Sequence, residues 1–170
     1  QWPPEPNPDV LWARGNGWVT VAGYDYLRAR TLRGERDRAV EDLLRAQVDA
    51  IVETQDASSG LWWTVMDAPD EIYLETSAAA LFGLGIARGY RYGILDESYL
   101  PTVTDALRGV QWRILRDAQD RPYVSGISGP TTAGSFTNYA NVPLVDDRHF
   151  GVGVTILFLI EVSGLDLPTP

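Results

Sequence analysis

Apolar residues recur three and four positions apart in five successive segments, a pattern that predicts an all-α fold. Two further observations support it. Strand signal is scarce, and the segments are separated by polar loops punctuated with Gly, Pro, Ser and Asp. At 170 residues, 45% hydrophobic and 22% charged, the chain has ordinary globular composition and enough length to bury the core of one domain.

The opening residues, Gln1 to Pro8, hold four prolines and read as a loop that runs to residue 11. Asn16 is placed as the N-cap of a first helix from Trp18 to Leu32, which Gly34 stops. Val19, Ala22, Tyr26 and Ala29 are its expected buried stripe. A second helix spans Glu35 to Thr54, with Val40, Leu43, Leu44, Val48, Ile51 and Val52 on one face. After the turn Ser58-Ser59-Gly60, Leu61 to Met66 reads as a short extended piece. The third helix, Thr76 to Tyr90, is rich in Ala and Gly, so it packs closely and is buried on most sides. Asp96 or Ser98 caps a fourth, with Pro101 in its first turn and Leu107, Val110, Ile114 and Leu115 on its stripe. Residues 120 to 146 form a long polar segment, a length that points to function or disorder. His149 to Val162 is apolar until Glu161, and a helix apolar all round is expected to be buried.

Composition removes several classes. The net charge is −9 and no Lys/Arg stripe forms, which argues against a nucleic-acid partner. Such a chain also repels an anion at long range, so an acidic ligand needs a local arginine, screened from the rest over about 8 Å. There is no cysteine, hence no disulfide and no thiolate metal site. The most apolar run, Val152 to Val162, is far shorter than the roughly 20 residues of a membrane span. The run Asp146-Asp147-Arg148-His149 lacks the two-histidine spacing of a zinc site, so neither a metal nor another cofactor is expected. The two aspartates read instead as negative charge favourable to the last helix's dipole. No Gly-x-Ser-x-Gly elbow, cysteine nucleophile or phosphate-binding loop is present.

The most distinctive stretch is Trp12-Ala13-Arg14-Gly15-Asn16-Gly17-Trp18. Trp12, Arg14, Asn16 and Trp18 stand at every second position. Aromatic faces, a guanidinium fork and close-approach glycines suit a flat anionic ring. The same tryptophans equally suit core anchors beside a helix start. Asp67, Asp70, Glu71 and Glu75 gather before the third helix, where Glu75 suits the dipole and Thr76 or Ser77 can cap. His149, the one histidine, reads as structural or as a hydrogen-bond donor to a ligand.

Three segments in order carry a family resemblance: WARGNGW at 12–18; Leu61-Trp62, then Tyr73 to Ala78 (YLETSA) and Ala87-Arg88-Gly89; and Asn138-Tyr139, Asp147 and His149 to Val154 (HFGVGV). Together they resemble glycoside hydrolase family 105, the unsaturated rhamnogalacturonyl hydrolases, with the family 88 unsaturated glucuronyl hydrolases more distantly similar. The resemblance implies an (α/α)6 barrel, of which residues 1–170 supply about half, the carboxyl-terminal portion of one domain. Half a ring would expose apolar helix flanks, so the missing half or a completing chain is expected as partner. The implied substrate is an unsaturated oligosaccharide, as in pectin breakdown. An aspartic acid protonates C4 of a 4,5-unsaturated uronate, water adds at C5, and the hemiketal opens and releases the remaining sugar. Trp12 and Trp18 match residues lining the unsaturated ring, and Arg14 an arginine that binds its carboxylate or hydroxyls. Asn16 matches a pocket or capping residue, and Tyr139 and His149 match positions at the rim. The family's acid aspartate falls upstream of this chain, so no Asp here inherits that role. The competing expectation is a non-catalytic carbohydrate-binding or structural helical module.

Overall fold

The computed structural model describes residues 10–168, so the proline-rich opening lies outside the described residues except for its last two positions. Within that span the fold is helical: α1 (Ala13–Thr31), α2 (Arg38–Glu53), α3 (Thr76–Arg91), α4 (Leu100–Trp112), α5 (Phe136–Ala140) and α6 (His149–Val162). Three antiparallel pairs of short strands connect them. They are β1 (Trp62–Trp63) with β2 (Leu74–Glu75), β3 (Ile114–Arg116) with β4 (Pro122–Val124), and β5 (Ile127–Ser128) with β6 (Leu144–Val145).

Helix α3 is the centre. α1 and α6 lie on either side of it, α4 packs against it, and α2 packs against α1. Its alanines and glycines permit that density. An added Cβ on Gly85 would lie 2.7 Å from Thr20 of α1, and one on Gly83 would overlap the Phe158 ring of α6. Reciprocally, a Cβ on Gly17 of α1 would lie 2.7 Å from that of Leu81. Interiors packed this tightly leave no room for a methyl group without a shift.

Several expectations need correction. α1 begins at Ala13 with Trp12 as N-cap, so Asn16 is inside the helix and caps nothing. The start is enforced from outside: the Ala13 N–H donates to the Thr64 carbonyl (3.0 Å), and Trp12 bridges to Val65. The buried face of α1 is Ala13, Arg14, Gly17, Thr20, Tyr24 and Leu27, whereas Val19, Ala22, Tyr26 and Ala29 are not buried. Small residues face α3 along the first turns, Gly17 against Leu81 and Thr20 against Gly85, and the larger Tyr24 is accommodated where α3 carries Gly89. In α2 the buried residues are Leu44, Val48 and Ile51, but Leu43 is exposed. Ile114 and Leu115 are in β3 rather than on the α4 stripe. The polar segment 120–146 is ordered into β4, β5, α5 and β6. α6 is not covered all round, for Ile156, Leu157 and Ile160 are about half or more exposed.

The three central helices run in the same direction. Beyond their shared start, described below, their far ends are tied by Arg88 of α3, which pairs with Asp25 of α1 (2.7 Å) and Glu161 of α6 (3.3 Å). Arg91 adds a second contact to Glu161 at 2.7 Å. Arginines at helix C-termini also oppose the negative end of the dipole.

Candidate functional site

The N-terminal ends of α1, α3 and α6 meet at one end of the bundle. β1 pairing with β2 sets Trp62 opposite Glu75, the N-cap of α3, while Trp12 at the start of α1 bridges to Val65 just beyond β1. Phe150 in the first turn of α6 lies with its ring centroid 4.8 Å from the Arg14 guanidinium. The starts of α1 and α6 therefore direct partial positive charge to one region, whereas that of α3 is met by the Glu75 carboxylate.

A shallow depression of about 330 Å³ opens there, lined by Trp12, Arg14, Trp18, Pro130, Thr131 and Phe150. Trp18 is 44% exposed and presents a free aromatic surface. Trp12 is held by Tyr139, whose ring stacks on it at 5.3 Å with planes 22° apart. The Tyr139 hydroxyl in turn accepts from the Gly134 N–H (3.0 Å), which fastens α5 and its preceding loop beneath the tryptophan.

Arg14 is only 4% exposed. Its Nη1 donates to the Ser128 carbonyl (2.6 Å) and its Nη2 to the Gly129 carbonyl (2.8 Å). Burial holds the guanidinium below its ordinary pKa, opposed by the nearby Glu75 and Tyr73. An arginine remains charged regardless. Glu75 is also buried, and its carboxylate is fully engaged. Oε1 accepts from the Ser77 N–H (3.1 Å), the Ser77 hydroxyl (2.7 Å) and the Ser128 N–H (2.9 Å), and Oε2 from the Ala78 N–H (2.7 Å). Glu75 itself is thus the cap of α3, where Thr76 or Ser77 was expected.

The sequence-selected residues separate into two groups. Trp12, Arg14 and Trp18 line the depression, and Tyr139 supports Trp12 from behind. Asn16 faces α2: its Nδ2 donates to the Trp12 carbonyl (3.0 Å) and its Oδ1 accepts from Gln47 (3.2 Å). His149 is exposed at the start of α6, edge-on to Phe150. Pro130, Thr131 and Phe150 were not singled out. Pro130 and Thr131 belong to a loop with no periodicity to read, whereas Phe150 lies within the HFGVGV segment, beside His149. Asp146 and Asp147 lie just before α6 and outside its first turn. They accept from the Gly126 N–H (3.3 Å) and the Val124 N–H (2.9 Å), which holds the passage from β4 to β5. Among the described residues no group of three or more His, Asp and Glu is placed to hold a metal ion, and no helix is long and apolar enough to cross a membrane.

Comparison with known proteins agrees with this architecture. The family model described as Glycosyl Hydrolase Family 88 matches residues 4–165. The chain is 30% identical over 154 residues to the unsaturated rhamnogalacturonyl hydrolase YesR of Bacillus subtilis (strain 168), covering 90% of this chain and 41% of that protein. It is likewise 30% identical over 170 residues to the unsaturated 3S-rhamnoglycuronyl hydrolase of Formosa agariphila, covering 95% and 41%. Among solved structures, a possible GH105 member from Salmonella enterica serovar Paratyphi A matches with a TM-score of 0.80 at 32% identity, over 89% of this chain and 39% of that one. This chain therefore spans about two fifths of the length of these relatives. The shared architecture is the helical (α/α)6 barrel, of which the chain forms a part.

Proposed function

This chain belongs to glycosyl hydrolase family 88, and from that membership we propose that it supplies the sugar-holding part of an unsaturated uronyl hydrolase. The reaction removes a 4,5-unsaturated uronic acid from the non-reducing end of an oligosaccharide left by a lyase. It proceeds by hydration of the enol ether: a proton goes to C4, water oxygen to C5, and the resulting hemiketal opens to release the remaining sugar.

The observation that carries this reading is the depression at the joined helix starts. Trp12, Trp18 and Phe150 offer aromatic surface for a flat ring, and the Arg14 charge with the dipoles of α1 and α6 favours an anion there. Local positive potential of this kind acts inside a Debye length, where the chain's overall negative charge matters less. The lining contains no carboxylate, and Glu75 nearby is saturated with donors. We accordingly place the proton donor outside residues 10–168, in the part of the barrel that this chain does not supply.

The same reading assigns the exposed apolar flanks. Val19 and Tyr26 on α1, and Ile156, Leu157 and Ile160 on α6, are the edges onto which further barrel helices dock. Residues 1–170 then form the carboxyl-terminal portion of a single barrel domain, completed by another segment or chain.

The test is spectroscopic. The intact protein, given an unsaturated rhamnogalacturonan or glucuronate disaccharide, is expected to remove the absorbance of the conjugated enol ether. Binding without loss of that absorbance would instead indicate a carbohydrate-binding module, and absence of binding a structural one.

A further inference from the structure

One buried residue behind the wall of the depression, Ser128, has a partner at every polar atom. The Ser128 N–H donates to Glu75 Oε1 (2.9 Å), and its carbonyl accepts from Arg14 Nη1 (2.6 Å). The Ser128 hydroxyl meets the Tyr73 hydroxyl at 2.9 Å, and Tyr73 donates onward to the Val142 carbonyl, also at 2.9 Å. The next residue is held as closely. The Gly129 carbonyl accepts from Arg14 Nη2 (2.8 Å) and from the Thr131 hydroxyl (2.8 Å), and its N–H donates to the Pro143 carbonyl (2.9 Å). Pro130 and Thr131 follow immediately, and both line the depression.

The clamp joins three elements to one loop. Arg14 is in the first turn of α1, Glu75 caps α3, and Tyr73 precedes β2. Arg14's two terminal nitrogens reach successive carbonyls of β5 and its exit, so the Nη1–Nη2 edge, one of those able to grip a carboxylate in parallel fashion, is turned to the backbone. Its guanidinium carbon lies over the rings of Trp12 (5.4 Å) and Phe150 (4.8 Å). The charge is walled in by aromatic surface and protein carbonyls.

We infer that Arg14, together with Glu75 and Tyr73, is a positioning residue that fixes the Pro130–Thr131 wall of the sugar depression, and that its guanidinium does not pair with the ligand's carboxylate. The part concerning a sugar rests on the function proposed above, whereas the clamp itself does not. Glu75 is suited to its share because a carboxylate accepts from all four of its donors. The amide nitrogen of a glutamine would set a donor against the Ala78 N–H or the Ser128 N–H.

Two measurements on the intact protein separate the possibilities. The first needs no ligand: amide hydrogen exchange across residues 127–134 in wild type, Arg14→Lys, Glu75→Gln and Tyr73→Phe. Arg14→Lys retains the charge but not the paired donors, and it is expected to raise exchange in this segment at least about tenfold, with α4 unchanged. Tyr73→Phe, which leaves Arg14 and Glu75 in place, gives a smaller rise in the same segment and keeps the test open should the other variants fold poorly. Unchanged exchange in all folded variants would overturn the clamp. The second compares kcat/KM for an unsaturated uronate disaccharide and its methyl ester. A positioning role predicts that Arg14→Lys lowers both by the same factor, leaving the acid-to-ester ratio within about twofold of wild type. A loss confined to the free acid would restore Arg14 as the carboxylate's partner and overturn the inference. A wild-type protein inactive on both sugars would count against the proposed reaction, with the exchange data still deciding the clamp.

Discussion

Trp12 and Tyr139 stack nearly parallel, 5.3 Å between ring centroids, and so connect the start of α1 to the short helix α5. The contact places one wall of the depression on an aromatic pair that is anchored at both ends. Trp12 is bridged to Val65, and Tyr139 receives the Gly134 N–H.

Replacing Tyr139 by Ala removes both the stack and a fully buried ring. The expected cost is about 3–5 kcal/mol of stability. Tyr139→Phe keeps the stack and loses only the Gly134 bond, at about 1 kcal/mol. Urea denaturation of the two variants beside wild type checks the ordering, which reverses if the hydroxyl and not the ring holds α5.

Gly17→Ala tests the seam between α1 and α3. The new Cβ would stand 2.7 Å from Leu81 Cβ, backed by the Leu81 side chain at 3.0 Å, so a shift of the helix pair is required. Overpacking of this kind costs about 1–3 kcal/mol. An unchanged urea midpoint would mean that the spacing of α1 and α3 is set elsewhere.

That seam also explains what could be read from the chain beforehand. α3, expected at 76–90 and found at Thr76–Arg91, was legible because its Ala and Gly run has no other use than close packing. α6 was legible in its bounds, since its apolar run starts and stops abruptly. The face of α1 was not. Its contact with α3 is made through Gly17 and Thr20, residues with no hydrophobic signature, and of its two tyrosines Tyr24 turns inward while Tyr26, with Val19 and Ala22, turns outward. Within the site, Trp12, Arg14 and Trp18 form a compact motif that could be recognised. The bonds that engage Arg14 come from Ser128 and Gly129, more than a hundred residues away, and no local pattern encodes them.

Tyr24 offers the opposite case to Tyr139. Its ring is buried in the core, and its hydroxyl has no hydrogen-bond partner among the described residues. Burial pushes its pKa far above the usual tyrosine value. Removing an unpaired buried hydroxyl relieves its desolvation, so Tyr24→Phe is expected to leave stability unchanged or raise it by up to about 1 kcal/mol. A thermal melt decides between this and a destabilisation, which would indicate a bound water as partner.

Asp37 governs part of the acid limb. The Tyr26 hydroxyl (2.8 Å), and after it the Val40 N–H (3.3 Å), hold its carboxyl below the usual range. A carboxylate with a lowered folded-state pKa binds fewer protons than its unfolded counterpart. Its contribution is therefore complete above the unfolded value of about 3.9, and it fades as pH falls through the lower folded value. The gap in urea midpoint between wild type and Asp37→Asn should accordingly narrow from about pH 5 to about pH 2.5. A gap that stays constant would assign the capping effect to geometry alone.

The central position of α3 has a consequence for how the molecule comes apart. Each helix touches its neighbours and little else, α2 on α1, α1 on α3, α4 and α6 on α3. Such an arc behaves as a short curved solenoid, whose stability is a sum of nearest-neighbour interfaces. Fraying then begins at the members with a single helical neighbour, α2, α4 and α6, while the Ala/Gly seams around α3 persist longest. In the complete barrel proposed above, each segment docked at an open flank would turn an end of this chain of contacts into an interior, and the last would abolish ends altogether.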